Sequence, residues 1–194
     1  IPPEGGADRA SAMRERARIL LAAGRIAEAR ESADRAVAIA PDAPGAWRLA
    51  GEIRLRDGDP EGAERAFREA VALAPDDAAA LLNLSSLLRE RDPVQALGLL
   101  LAARRAAPRD PEVACETGSL LCGLGRADEG LPLLRQAAAS DPPAPRFRLA
   151  LARALEAAGR REEALAELDR AVAEGAADEE LLAQRDAWRG GAGE

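Results

Sequence analysis

The sequence predicts an all-α fold, a tandem array of helix-turn-helix hairpins, and three observations carry that prediction. Apolar residues recur at helical spacing with no alternating strand pattern. Hydrophobic residues make up 47% of the 194-residue chain but aromatics only 2%, a mixture dominated by Ala and Leu that suits close-packed helices. Four phrases that each end in proline return at an almost constant interval, the mark of an internal repeat.

The phrases are Ala36-Val37-Ala38-Ile39-Ala40-Pro41, Ala70-Val71-Ala72-Leu73-Ala74-Pro75, Ala103-Arg104-Arg105-Ala106-Ala107-Pro108 and Ala137-Ala138-Ala139-Ser140-Asp141-Pro142. Their prolines stand 34, 33 and 34 residues apart. Proline lacks the N–H and restricts its predecessor, so each one ends a second helix. Midway through four of the periods stands a glycine turn that ends a first helix: Gly24-Arg25, Gly58-Asp59, Gly125-Arg126 and Gly159-Arg160. Glycine suits a left-handed C-cap, and the acidic residues that follow suit the N-terminal dipole of the next helix.

Five hairpins follow, placed at 10–43, 44–77, 78–110, 111–144 and 145–178. The first carries Met13, Ala17, Leu20, Ala29, Ala33 and Ala36 on pattern, with Arg16 at an otherwise apolar slot. The second is the most regular. The third has the turn Arg91-Asp92-Pro93-Val94, one residue shorter and without the glycine, so its hairpin angle is expected to differ. The fourth has Gly118, Leu121, Gly130 and Leu134. The fifth places Arg148 at its first large slot with Phe147 beside it, which leaves its register open by about one residue. Asp178 reads as an N-cap for a capping helix over 179–189, with Leu181, Leu182 and Trp188 at helical spacing. Residues 1–9 and 190–194 read as tails.

The second unit carries Trp47, Gly51, Gly58, Ala63, Phe67, Ala70 and Pro75, and at these offsets the chain resembles the tetratricopeptide repeat family. Departures in that unit are Ala50, where the family prefers Leu, and Arg54, where it prefers Tyr. The resemblance implies a right-handed superhelical solenoid in one domain over 10–189. Small residues at Gly51, Ala63 and Ala70 would let paired helices approach, while Trp47 and Phe67 fill the space between hairpins.

The resemblance further implies that the first helices line a concave groove that holds a peptide or partner protein. Carried position by position, the groove contains Arg14, Arg18, Arg48, Leu49, Glu52 and Arg56, then Leu82, Asn83, Ser86 and Arg89, then Glu112, Cys115, Glu116 and Ser119, and Arg153. Arginine grips a carboxylate with two parallel hydrogen bonds, so the end with Arg14, Arg18 and Arg48 is expected to favour an acidic segment of the partner. One branch of the family holds C-terminal peptides with a clamp of Lys, Asn and Arg. Asn83 matches its middle residue, but Glu112 and Glu116 have the wrong sign, so that mode of binding is not expected here.

Composition narrows the function classes. A net charge of −7 and a pI near 4.9 argue against a phosphate-backbone binder, so no nucleic acid is expected. Histidine is absent, which removes the commonest metal ligand and general base. No catalytic constellation is found, and no cofactor or metal is expected. Cys115 and Cys122 lie seven residues apart on one helix, about 10 Å along its axis, and are expected as free thiols, which fits a reducing cytoplasmic location. No apolar run reaches the roughly 20 residues needed for membrane insertion. Self-association through Leu181, Leu182 and Trp188 is a further expectation. The chain opens on Ile1 and not Met, as a segment of a longer protein would, so an alternative is the helical-repeat part of a larger enzyme, such as a transferase or hydroxylase.

Overall fold

The computed structural model describes residues 6–140 and 144–190, and among these it contains eleven α-helices and no strand. Pro142 and most of both expected tails lie outside the described residues. By their contacts the residues form two compact units, Ile1–Ala106 and Ala107–Glu194.

The first unit contains α1 (Gly6–Ala22), α2 (Ile26–Ile39), α3 (Pro44–Arg56), α4 (Pro60–Leu73), α5 (Ala78–Leu88) and α6 (Pro93–Ala106). Residues 6–9, expected as tail, are helical; Asp8 in the first turn sits where the helix dipole favours an acid. Gly24 and Gly58 have φ of 72° and 78°, left-handed values that a side chain would resist. Each closes its helix with paired backbone bonds, Arg25 N–H to the Leu20 carbonyl and Gly24 N–H to that of Leu21 in the first case. The third hairpin does without such a glycine. Arg89 stays right-handed at φ −48°, and the Asp92 N–H bonds back to the Leu88 carbonyl at 2.7 Å, which spares one residue.

Aspartates start the helices where the sequence places them beside proline or alanine. Asp77 accepts from the Ala79 and Ala80 N–H groups, and Asp59 from that of Gly62. The core of this unit joins Ala17, Leu20, Ala29 and Ala33 of the first hairpin to Leu49, Ala50 and Ile53 of α3. Phe67 is 0% exposed, and Trp47, half-buried, donates from Nε1 to the Pro41 carbonyl at 2.8 Å. Arg54, at the slot where a Tyr is the expected type, lies largely buried and reaches Asp34.

Ion pairs bridge the junctions between hairpins. Arg30 of α2 holds Asp57 and Asp59 across the first junction; Glu64, the equivalent residue of α4, holds Arg91 at 2.7 Å across the second. The polarity reverses from the first junction to the second. The hydrogen bond from Arg91, with the Arg68 charge, holds the Glu64 carboxyl below the usual range against the opposing effect of burial. A depressed carboxylate stabilises the fold above its unfolded pKa of about 4.3, and that stability disappears as pH falls through the lower folded value. Acid unfolding of Glu64→Gln is therefore expected to show a flatter dependence below about pH 4.3 than the parent chain, followed by circular dichroism. Equal slopes would show that the pair contributes nothing.

The second unit contains α7 (Pro111–Gly123), α8 (Ala127–Ala138), α9 (Pro145–Ala157), α10 (Arg161–Ala173) and α11 (Glu179–Gly190). Gly118 and Gly130 bring α7 and α8 together so closely that a Cβ on Gly130 would lie 2.5 Å from the Gly118 carbonyl oxygen. Phe147 and Arg148 are both buried, which resolves the register of α9: Phe147 enters the core while Arg148 turns to Glu167 of α10 and to Glu174, the residue just after it. Asp178 caps α11 by accepting from the Leu181 N–H at 2.9 Å. Leu181 is fully buried and Trp188 lies against the same core, so α11 spends its apolar side on its own unit and leaves Leu182 at the surface.

Candidate functional site

The residues picked from the first helices divide by what already holds them. On α3, the Arg48 guanidinium donates to Glu52 one turn on at 2.7 Å and to Asp77, the cap of α5, at 3.1 Å. Arg14 lies against α3, its guanidinium 3.1 Å from where a Gly45 Cβ would sit. Arg18 is more than half exposed, with only a 3.8 Å contact to Glu15, and Arg56 is exposed. Leu82 and Asn83 on α5 are half-buried and Ser86 is exposed. Leu49, at 3% exposure, belongs to the core of its unit, and this takes it off the surface expected to meet a ligand.

On the second unit, Arg146 of α9 reaches back to Glu112 of α7, and Arg153 reaches forward to Glu180 and Gln184 of α11. Neighbouring helices are thus linked by arginines, and one of these, Arg153, is a residue that the family resemblance assigned to a ligand. A hollow of about 570 Å³ opens between α7 and α9, lined by Ser119, Cys122 and Gly123 on one side and Ala150, Arg153 and Ala154 on the other. The small residues make it: a Cβ on Gly123 would meet nothing within 4 Å.

Cys115 is buried at 7% exposure, and burial with the Glu116 charge pushes its thiol up to about 11. Cys122 is half-buried and raised by the same desolvation. Neither is a thiolate near neutrality, and the thiolate is the reactive form, so these sulfurs act here as small apolar groups. Burial also removes Cys115 from direct ligand contact. Among the described residues no group of three or more His, Cys, Asp or Glu is arranged to hold a metal ion, and no helix is long and apolar enough to cross a membrane.

Sequence reasoning missed a second recurring device. Arg25, Arg126 and Arg160, each directly after a turn glycine, chelate the glutamate three residues on: Glu28, Glu129 and Glu163. The signal is the pattern Gly-Arg-x-x-Glu. These arginines stand at the N-cap positions of the second helices, where their side chains accept nothing from the backbone. The paired carboxylate lies in the first helical turn, where the dipole favours it.

The profile of the tetratricopeptide repeat family matches residues 8–176 of this hairpin array. The chain belongs to the tetratricopeptide repeat family. Its repeats resemble part of cellulose synthase 2 operon protein C of Komagataeibacter xylinus, at 38% identity over 125 residues, 62% of this chain and 10% of that protein. The chain thus spans about a tenth of the length of the curated relative it matches. A thermophilic tetratricopeptide repeat protein of Thermus thermophilus is similar at TM-score 0.72 and 26% identity, over 92% of this chain and 98% of that one. YrrB, a tetratricopeptide repeat protein with an unusual peptide-binding site, is similar at TM-score 0.69 and 22% identity over 90% of each chain, a likeness of fold.

Two departures of the tetratricopeptide array from the family pattern have structural explanations. Arg54 and Arg148 stand where a large apolar or aromatic side chain is preferred, and each buries its stem while its head finds an acid on a neighbouring helix.

Proposed function

We propose that this tetratricopeptide array is a non-catalytic scaffold that holds a peptide or partner protein on the inward faces of its first helices. The observation that carries the proposal is the hollow between α7 and α9, which has room for a side chain and is lined by the inward residues Ser119, Cys122 and Arg153. The peptide-binding site named for YrrB agrees with such a use of the fold. On the first unit, Arg18 and Arg56 are the exposed cations of these faces, and they make an acidic segment the favoured ligand there, whereas Arg48 is already engaged by Asp77 and Glu52.

Photocrosslinking from Asn83, followed by mass spectrometry, tests the scaffold: one specific partner supports it and indiscriminate capture overturns it. Reversing Arg18 and Arg56 to Glu is expected to weaken an acidic partner by about tenfold at low salt, since each lost or reversed surface pair contributes up to about 1 kcal/mol. Because both side chains are exposed, the thermal midpoint should stay unchanged. Binding that is equally tight in the reversed chain would remove the acidic-ligand reading.

A second reading is favoured by the 10% coverage of the Komagataeibacter protein. On it, the array is a stretch of a longer protein and positions whatever chemistry that protein performs elsewhere.

A further inference from the structure

Helix α6 is apolar on both sides. Between Val94 and Ala103 its one polar side chain is Gln95. The inner side is accounted for, with Ala96, Leu97, Leu100 and Ala103 buried. The outer side is not: Val94 is 77% exposed and Leu101 39%, flanking Gly98, where a Cβ would meet nothing within 4 Å. In the other four second helices the place of Leu101 is taken by Asp34, Arg68, Arg135 and Asp169, and that of Val94 by Ala27, Glu61, Asp128 and Glu162. An apolar helix stripe belongs in a buried setting, and only this second helix carries no charge at either of these two places, the nearest cation of the stripe being Arg105 at its end.

We propose that the outer face of α6 is the contact between two copies of this chain, their α6 helices crossing antiparallel at Gly98. The face is self-complementary, as a two-fold contact requires. Glycine at the crossing lets the backbones approach, and Val94 of each copy then meets Leu101 of the other. The charges decide the direction and the occupant. Asp92 stands at the start of α6 and Arg104 and Arg105 near its end, so an antiparallel crossing sets acid against base at both ends and opposes the helix dipoles favourably. A parallel crossing would set like charges together. One helix face buries a small area, so the dimer is a weak one.

Sedimentation velocity of the whole chain from about 1 to 200 µM, the range of weak contacts, tests the proposal. The expected result is a dimer that grows with concentration, is lost in Leu101→Arg and in Val94→Asp at unchanged helicity, and persists in Leu182→Arg on α11. On a Cys122→Ala background, oxidation of Gly98→Cys is expected to give a covalent dimer, while Arg105→Cys does not, because the two copies of that position would stand about 21 Å apart along the axes. A chain that stays monomeric throughout, a dimer indifferent to Leu101→Arg, a dimer lost in Leu182→Arg, or crosslinking from Arg105→Cys alone would each overturn it.

Discussion

Replacing Phe67 by alanine is expected to cost about 3–5 kcal/mol, the loss typical of a fully buried aromatic side chain. The ring is 0% exposed and lies against Gly51, so near that a Cβ there would approach its atoms to 2.6 Å. Truncation leaves a void between α3 and α4 that Gly51, having no side chain, cannot fill. The damage spreads, because in a repeat array each hairpin is stabilised mainly by its neighbours. Here α3 and α4 sit between α2 and α5, and both junctions depend on the geometry of the second hairpin. Urea unfolding followed at 222 nm, the helical band, is the measurement, with Gly51 left unchanged. A loss below about 1 kcal/mol would mean that the site collapses around the void and that the ring is not what spaces these helices.

The fold was legible because its punctuation is chemical. Prolines that end second helices and glycines that need positive φ are local demands, readable from single residues, and α3, α5, α7 and α9 begin at residues 44, 78, 111 and 145. What the sequence left open was set at longer range. Nothing local marks Gly6 as the start of α1. The choice between Phe147 and Arg148 depends on Glu167 and Glu174, acids on the following helix and at its C-terminal end that let a guanidinium lie buried.

The candidate faces were legible in residue type but not in occupancy. The family resemblance suggested which arginines face the groove; it did not tell that Arg48, Arg146 and Arg153 meet acids 29, 34 and 27 residues away. Only the Arg146–Glu112 separation equals one repeat; the other two fall short of it by different amounts, so no single spacing announces these pairs. Leu49 and Cys115 were misplaced for a related reason. The border between the inward face and the packed face shifts with how closely each helix pair approaches, and that depends on the small residues of both partners.

Gly130→Ala puts two known effects in opposition, and their sizes settle the sign. Alanine in a helix is favoured over glycine by about 0.5–1 kcal/mol. At Gly130, however, the added Cβ would lie 2.5 Å from both the Gly118 carbonyl oxygen and Cys122 Sγ. The carbonyl belongs to the backbone of α7, so no rotamer relieves the contact and the helices have to separate. Overpacking of this kind costs about 1–3 kcal/mol, which outweighs the gain, and Gly130→Leu is expected to exceed the upper figure because its larger side chain has to pass Gly118 and Cys122 of α7. In the second hairpin Ala63 occupies the equivalent place and is fully buried, so the repeat itself accepts an alanine there and the conflict belongs to the fourth hairpin. Gly98→Ala, where the new Cβ meets nothing within 4 Å, isolates the propensity gain, and below about 1 µM, where a weak contact between copies is absent, it is expected to raise the unfolding midpoint. Opposite shifts from the same substitution in α6 and α8 would show that the α7–α8 crossing is held at the distance two glycines allow; parallel shifts would show that it yields.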